Sequence, residues 1–206
     1  MPTKGFILAG GIVLWLALVA AGSAVLLNYG LTPGAAGAAP PRWPRSSALT
    51  LDRHEPTLVM VVHPRCPCSR ASLDELLSLV TTARGRVKAY VLFVRPPGVE
   101  PGWEHSGLWR QAAAIPAVTV MSDDLGREAT RFGAATSGQA MLYDRGGALE
   151  FSGGITAARG FYGDNAGASA IAAMLANAKA RSGHAPVYGC PLLGRGASAK
   201  VVACKH

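Results

Sequence analysis

The stretch Thr57-Leu-Val-Met-Val-Val-His63-Pro-Arg65-Cys66-Pro67-Cys68-Ser69-Arg70-Ala-Ser72-Leu73 carries the decisive change of period in this chain. Its unbroken apolar, β-branched start predicts a buried strand. After a tight Pro-containing turn, Leu73, Leu76, Leu77 and Val80 recur at helical spacing. Two cysteines therefore fall where a strand hands over to a helix. The first turn of a helix presents unpaired N–H groups and the positive end of its dipole, which favours a sulfur there as thiolate, the form that does chemistry. Arg65 and Arg70 bring positive charge to either side, and the stretch reads as a redox or metal site.

Working outward from it, Gly85 is a helix stop and Val87 to Val94 a second buried strand, so strand, helix and strand form a parallel βαβ unit. Residues 95–105 hold prolines and glycines and read as a loop. Ser106 is a cap for a helix through Ala114, ended by Ile115-Pro116. A third strand covers Ala117 to Met121, and Asp123 or Asp124 caps a short helix to Phe132. Two short strands joined by Asp144-Arg-Gly-Gly147 follow Gly138. A glycine-rich loop then leads through Asp164-Asn165 into a helix over 166–180 that presents Ile171, Met174 and Leu175 on one face. That loop lacks the Walker and dinucleotide spacings, so it reads as loop closure and capping.

The ends differ in kind. Phe6 to Leu27 contains no charged residue and, at about 1.5 Å per residue, spans roughly 30 Å as a helix, enough to cross a bilayer core. A cleaved signal peptide is the competing reading, but the run exceeds an h-region of about 7–15 residues. Residues 1–29 are thus expected to be a transmembrane anchor and residues 30–47, rich in Gly, Ala and Pro, a linker. The folded domain is expected over 48–180, and residues 181–206 form a tail with Cys190 and Cys204. These two either pair as a structural clip, or Cys190 folds back as a third redox cysteine. Flanking charge leaves the orientation tied. Cysteine chemistry places the domain outside the cytoplasm, facing the periplasm or the cell exterior.

Composition narrows the partners. The chain of 206 residues carries a formal charge of +8, yet no block of consecutive basic residues occurs, so no nucleic-acid partner is expected. A Ser/His/Asp elbow and a carboxylate pair placed for hydrolysis are both missing.

The strand, the cysteines at the helix start and the later strand pair resemble the thioredoxin-like superfamily, in particular its membrane-anchored bacterial thiol-disulfide oxidoreductases. The Cys66-Pro67-Cys68-Ser69-Arg-Ala-Ser72 and Phe151-Ser-Gly-Gly-Ile-Thr156 stretches are similar to its RedB-like branch. The resemblance implies an α/β fold with a central mixed sheet flanked by helices. It also implies protein substrates containing cysteine, a redox partner protein and no cofactor. Cys66 would attack a substrate disulfide and Cys68 would resolve the mixed disulfide, with Arg65, Pro67 and Gly138 in support. The motif is one residue shorter than Cys-x-x-Cys, with Ser69 at the place of the second cysteine, and Gly138 stands where the family has a cis-proline. A bridge between residues two apart closes a small, strained ring, which implies a readily reduced disulfide suited to donation or isomerisation. Cys66 is expected to be the more acidic and reactive thiol, with Cys68 one step into the helix and partly shielded.

A second class of reading uses His63, Cys66 and Cys68 as soft ligands for copper or zinc. This loosely resembles the copper-carrying assembly proteins of the same fold. Their distant histidine has no counterpart in 134–138. A third reading is a binding module that keeps the fold without turnover.

Overall fold

A computed structural model describes residues 3–178 and 183–193. The chain divides after Thr32 into two units. The first is α1, Thr3–Leu31. Its Gly5–Leu31 stretch has mean hydropathy 2.2 over its most apolar window and is long and apolar enough to cross a membrane.

The second unit holds β1 (Thr57–Val62), α2 (Ser69–Ala83), β2 (Lys88–Arg95), α3 (Gly107–Ala113), β3 (Val118–Asp124), α4 (Arg127–Arg131), β4 (Gln139–Tyr143), β5 (Leu149–Gly153), α5 (Ala166–Leu175) and β6 (His184–Ala185). These strands form one sheet in the order β3-β2-β1-β4-β5-β6. β1 is parallel to β2, with Val59 opposite Tyr90, and antiparallel to β4, with Val59 opposite Met141. All six residues of β1 are buried, as the continuous apolar run requires of a central strand covered on both faces. Leu58, Met60 and Val62 pack on one face with Leu73, Leu76, Phe93, Phe151 and Ile171. Val59 and Val61 pack on the other with Leu49, Phe132, Met141, Tyr143 and Leu192.

Most of the expected local chemistry is present. Ser106 Oγ accepts from Trp109 N, and Asn165 Oδ1 accepts from Ala168 N at 2.7 Å. The Asp123 carboxylate accepts from Glu128 N and Ala129 N, both at 2.8 Å, and so caps α4. Two boundaries shift. β3 runs on to Asp124 because its parallel pairing with β2 continues to Arg95, whose guanidinium meets Asp124 at 2.8 Å. α5 stops at Leu175, and Asn177 turns the chain with φ 56°. Residues 179–180 of the expected helix lie outside the described residues.

The stretch expected as a linker is different in kind. Gly34 N donates to Val187 O at 2.8 Å, Thr136 Oγ1 donates to Ala35 O, and Arg42 bridges to Ala148. Trp43 sits edge-on to Phe132 and Tyr143, with ring centroids 5.1 and 5.3 Å away. Its glycines and alanines suit this role: at Gly37 the backbone lies so close to Gly133 and Gln139 that no Cβ fits. If residues 33–47 are part of the fold, Trp43→Ala should destabilise the domain by about 2 kcal/mol, less than a fully buried Trp because the ring is half-exposed. Urea unfolding of the full chain in detergent measures this, and an unchanged midpoint would return the segment to the role of a spacer.

Candidate functional site

At the end of β1 the backbone folds into two overlapping turns, with Cys66 N donating to His63 O at 3.0 Å and Ser69 N to Cys66 O at 3.1 Å. Cys68 is the residue before α2 and Cys66 stands two positions earlier. Cys66 is wholly buried, whereas Cys68 and Cys190 are half-buried; all three are free thiols. The expected order of shielding is therefore reversed. The strand-to-helix turn directs Cys66 inward, under the loop before β4.

That loop presents Ser137, itself fully buried. Its Oγ accepts from His63 N at 2.7 Å and lies 2.7 Å from Ser69 Oγ, while its N–H donates to Cys190 O at 2.8 Å. One residue thus ties the end of β1, the start of α2 and the C-terminal segment together. The Cys66 sulfur accepts hydrogen bonds from the Cys190 thiol, the Ser69 hydroxyl, the Cys190 N–H and the Ser137 hydroxyl. The Cys190 thiol is the strongest of these donors, and together they pull Cys66 down to about 4 against the burial that would raise it. The two serines hold two protons for three contacts, so they share the sulfur with their own mutual bond.

The neighbouring thiols move the other way. Cys190 is pushed up because its proton is held in the bond to Cys66, and burial and the two nearby sulfurs add to this. Burial and the Cys66 charge raise Cys68, while Arg159, which also hydrogen-bonds Cys68, opposes the rise. Arg159 comes from the glycine-rich loop, and its guanidinium also donates to Gly189 O.

The arginines singled out from the sequence lie elsewhere. Arg65 is exposed and stacks over Trp103, 4.9 Å from the ring centroid. Arg70 is also exposed, and its carbonyl accepts from Gln111 Nε2. Pro67 is exposed between the two cysteines. His63 packs edge-on against Trp103, its Nδ1 accepts from Arg65 N at 3.2 Å, and burial lowers its pKa. Among the described residues no three His, Cys, Asp or Glu side chains are grouped to hold a metal ion. Cys204 lies outside the described residues.

Gly138, at the place of the family's cis-proline, has its backbone N–H already engaged. Its N–H donates to Val61 O at 2.8 Å, its φ is +89°, and a Cβ there would stand 2.7 Å from Ser72 Oγ. The glycine is required by the left-handed conformation and by this close approach. Ser69, Ser137 and Arg159 escaped the sequence reading. For Ser69 a signal existed, since it occupies the place of the second cysteine in Cys-x-x-Cys.

With the edge strands β3 and β6 set aside, the strand order β2-β1-β4-β5, with β4 antiparallel to β1 and cysteines at the β1–α2 junction, is thioredoxin-like. A hypothetical protein of Sinorhizobium meliloti superposes with TM-score 0.58 at 20% identity, over 78% of this chain and 93% of that one. An uncharacterized conserved protein of Geobacillus kaustophilus superposes with TM-score 0.57 at 16% identity, over 79% and 92%. A thioredoxin-like protein solved in its oxidised form overlaps less well, with TM-score 0.46 at 14% identity, over 73% of this chain and 97% of that one. No protein-family model and no curated protein sequence matches the chain. The likeness to these structures is one of fold, a mixed sheet flanked by helices in thioredoxin-like strand order.

Two measurements test the site. Ser137→Ala should cost about 1–3 kcal/mol, because the buried His63 N–H loses its acceptor, and should raise the pKa of Cys66. Ultraviolet thiolate absorbance against pH reports the second effect: the wild-type signal persists below neutrality and fades towards about 4, and an unmoved curve in the variant would remove Ser137 from the site. For stability the signs oppose. The Cys66 contribution is complete above the ordinary thiol pKa of about 8.5 and is lost as pH falls. The contributions of Cys68 and Cys190, both raised, are present below that value and lost as pH rises above it. Separately, Gly138→Pro should destabilise by about 3 kcal/mol or more, since φ near −65° is incompatible with the native +89° and the bond to Val61 is lost.

Proposed function

We propose that this chain is a thiol–disulfide oxidoreductase held at a membrane by α1, with its domain in the periplasm or cell exterior and Cys66 as the nucleophile. The observation that carries the reading is the set of donors converging on the buried Cys66 sulfur at the β1–α2 junction, which keeps it as thiolate at neutral pH. A thiolate so stabilised is a good leaving group and a ready attacking group in exchange with protein disulfides.

In the first step the Cys66 thiolate attacks one sulfur of a substrate disulfide, forming a mixed disulfide and releasing the other substrate sulfur as thiolate. In the second, a thiol of the chain attacks the Cys66 sulfur, releases the remaining substrate sulfur and closes an internal disulfide. Cys68 is half-buried and adjacent, and in this reading it is a resolving thiol. A redox partner protein then restores the dithiol or draws on the disulfide. The stacked Trp103, Arg65 and His63 supply an apolar and cationic wall for the substrate segment beside Cys66.

The experiment is exchange with a dithiol or disulfide peptide, using full-length protein in detergent, with free thiols and bound metal quantified in parallel. Cys66→Ser should abolish exchange, whereas Cys68→Ser should keep formation of the mixed disulfide. Copper or zinc retained stoichiometrically through His63, Cys66 and Cys68, without exchange in the parent, would replace this reading with a metal-carrier one.

A further inference from the structure

The C-terminal segment is built into the site. Val187 O accepts from Gly34 N, Thr136 and Pro191 form an antiparallel bridge, and Leu192 N donates to Ala135 O at 3.0 Å. Cys190 O accepts from Ser137 N at 2.8 Å, and Gly189 lies so close to the Ser137 carbonyl that no Cβ fits between them. The segment is thus laid along the loop before β4 with Cys190 aimed at Cys66. Both its N–H and its thiol reach the Cys66 sulfur.

Resting on the oxidoreductase reading, we infer that Cys190 is a further catalytic residue, the thiol that resolves the mixed disulfide at Cys66 and closes a long-range Cys66–Cys190 bridge. Its carbonyl is already tied to Ser137, which also holds the His63 N–H before Cys66 and the Ser69 hydroxyl after it. A bridge between residues two apart, as Cys66 and Cys68 would need, must satisfy a narrow window of Cα separation and torsion inside a small ring. A bridge between two separate segments has no such ring to close. The step balances: Cys190 gives up its proton, its sulfur bonds to Cys66 Sγ, the bond from Cys66 to the substrate breaks, and the substrate leaves as thiolate to be protonated. In sum one substrate disulfide is reduced to two thiols, and Cys66 and Cys190 are oxidised together.

While Cys66 is thiolate, the Cys190 proton sits in the bond to it and the Cys190 thiol is a poor nucleophile. Once Cys66 is in a mixed disulfide, that charge is gone and Arg159, beside Cys190, favours its thiolate. Formation of the intermediate therefore activates the thiol that resolves it.

The test uses fully reduced full-length protein in detergent, exposed anaerobically to one equivalent of oxidised glutathione, quenched with acid and alkylated. Disulfides are then mapped by mass spectrometry of peptides. The expected product is a Cys66–Cys190 bridge, in the parent and in Cys68→Ser alike. In Cys190→Ser the Cys66–glutathione adduct should persist about tenfold longer than in Cys68→Ser. Cys190→Ala, which removes the hydroxyl donor as well, should show the same persistence. A Cys66–Cys68 bridge as the main product, an adduct that resolves at the parental rate in both Cys190 variants, or Cys190 found bonded to Cys204 would each overturn the inference while leaving exchange at Cys66 intact. Absence of any adduct at Cys66 in every variant would instead remove the oxidoreductase reading and the inference with it.

Discussion

A negative charge with no solvent contact persists only where the protein supplies the hydrogen bonds that water would have made. In this molecule that constraint falls on the Cys66 sulfur, and Ser137 is the residue that ties its surroundings together. Its hydroxyl serves His63 N, Ser69 and Cys66, and its N–H fixes the Cys190 carbonyl. A change at any one of these partners alters the donors left for the sulfur. The end of β1, the start of α2, the loop before β4 and the C-terminal segment therefore act as one electrostatic assembly.

Close backbone approach makes the assembly possible. The loop over 133–139 is gripped from two sides, by residues 34–38 and by residues 187–192, and small residues stand at each contact. Gly37 lies against Gly133 and Gln139, and Gly189 against Ser137, with no space for a side chain. The sheet beneath provides rigidity, since β1 is buried on both faces and bonded along both edges. Precision at the sulfur comes from backbone packed on backbone over a stiff strand.

What could be read in advance follows from this division. β1, α2, β2 and the β4–β5 hairpin are written in local patterns of period and turn chemistry, and the structure has them where those patterns indicate. The environment of Cys66 is written in contacts between distant positions, which no local period encodes: Ser137 and Arg159 are ordinary polar loop residues until the fold brings them to the sulfur. Composition misleads at residues 33–47, where the Gly, Ala and Pro content of a spacer is also that of a segment lying flat on another backbone. Arg65 misleads for a related reason. Adjacency in sequence to Cys66 suggested electrostatic influence, but the turn leaves Arg65 exposed over Trp103 while Cys66 is buried.

The long separation in sequence between Cys66 and Cys190 ties the chemistry to the order of synthesis. The β1–α2 junction is synthesised long before residues 187–192 emerge. Until residues 187–192 arrive, Cys66 lacks two of its donors and Ser137 N–H lacks its acceptor. A chain that lacks residues 187–192 thus keeps only the two serine hydroxyls at Cys66, and its thiol is less acidic for the loss of Cys190.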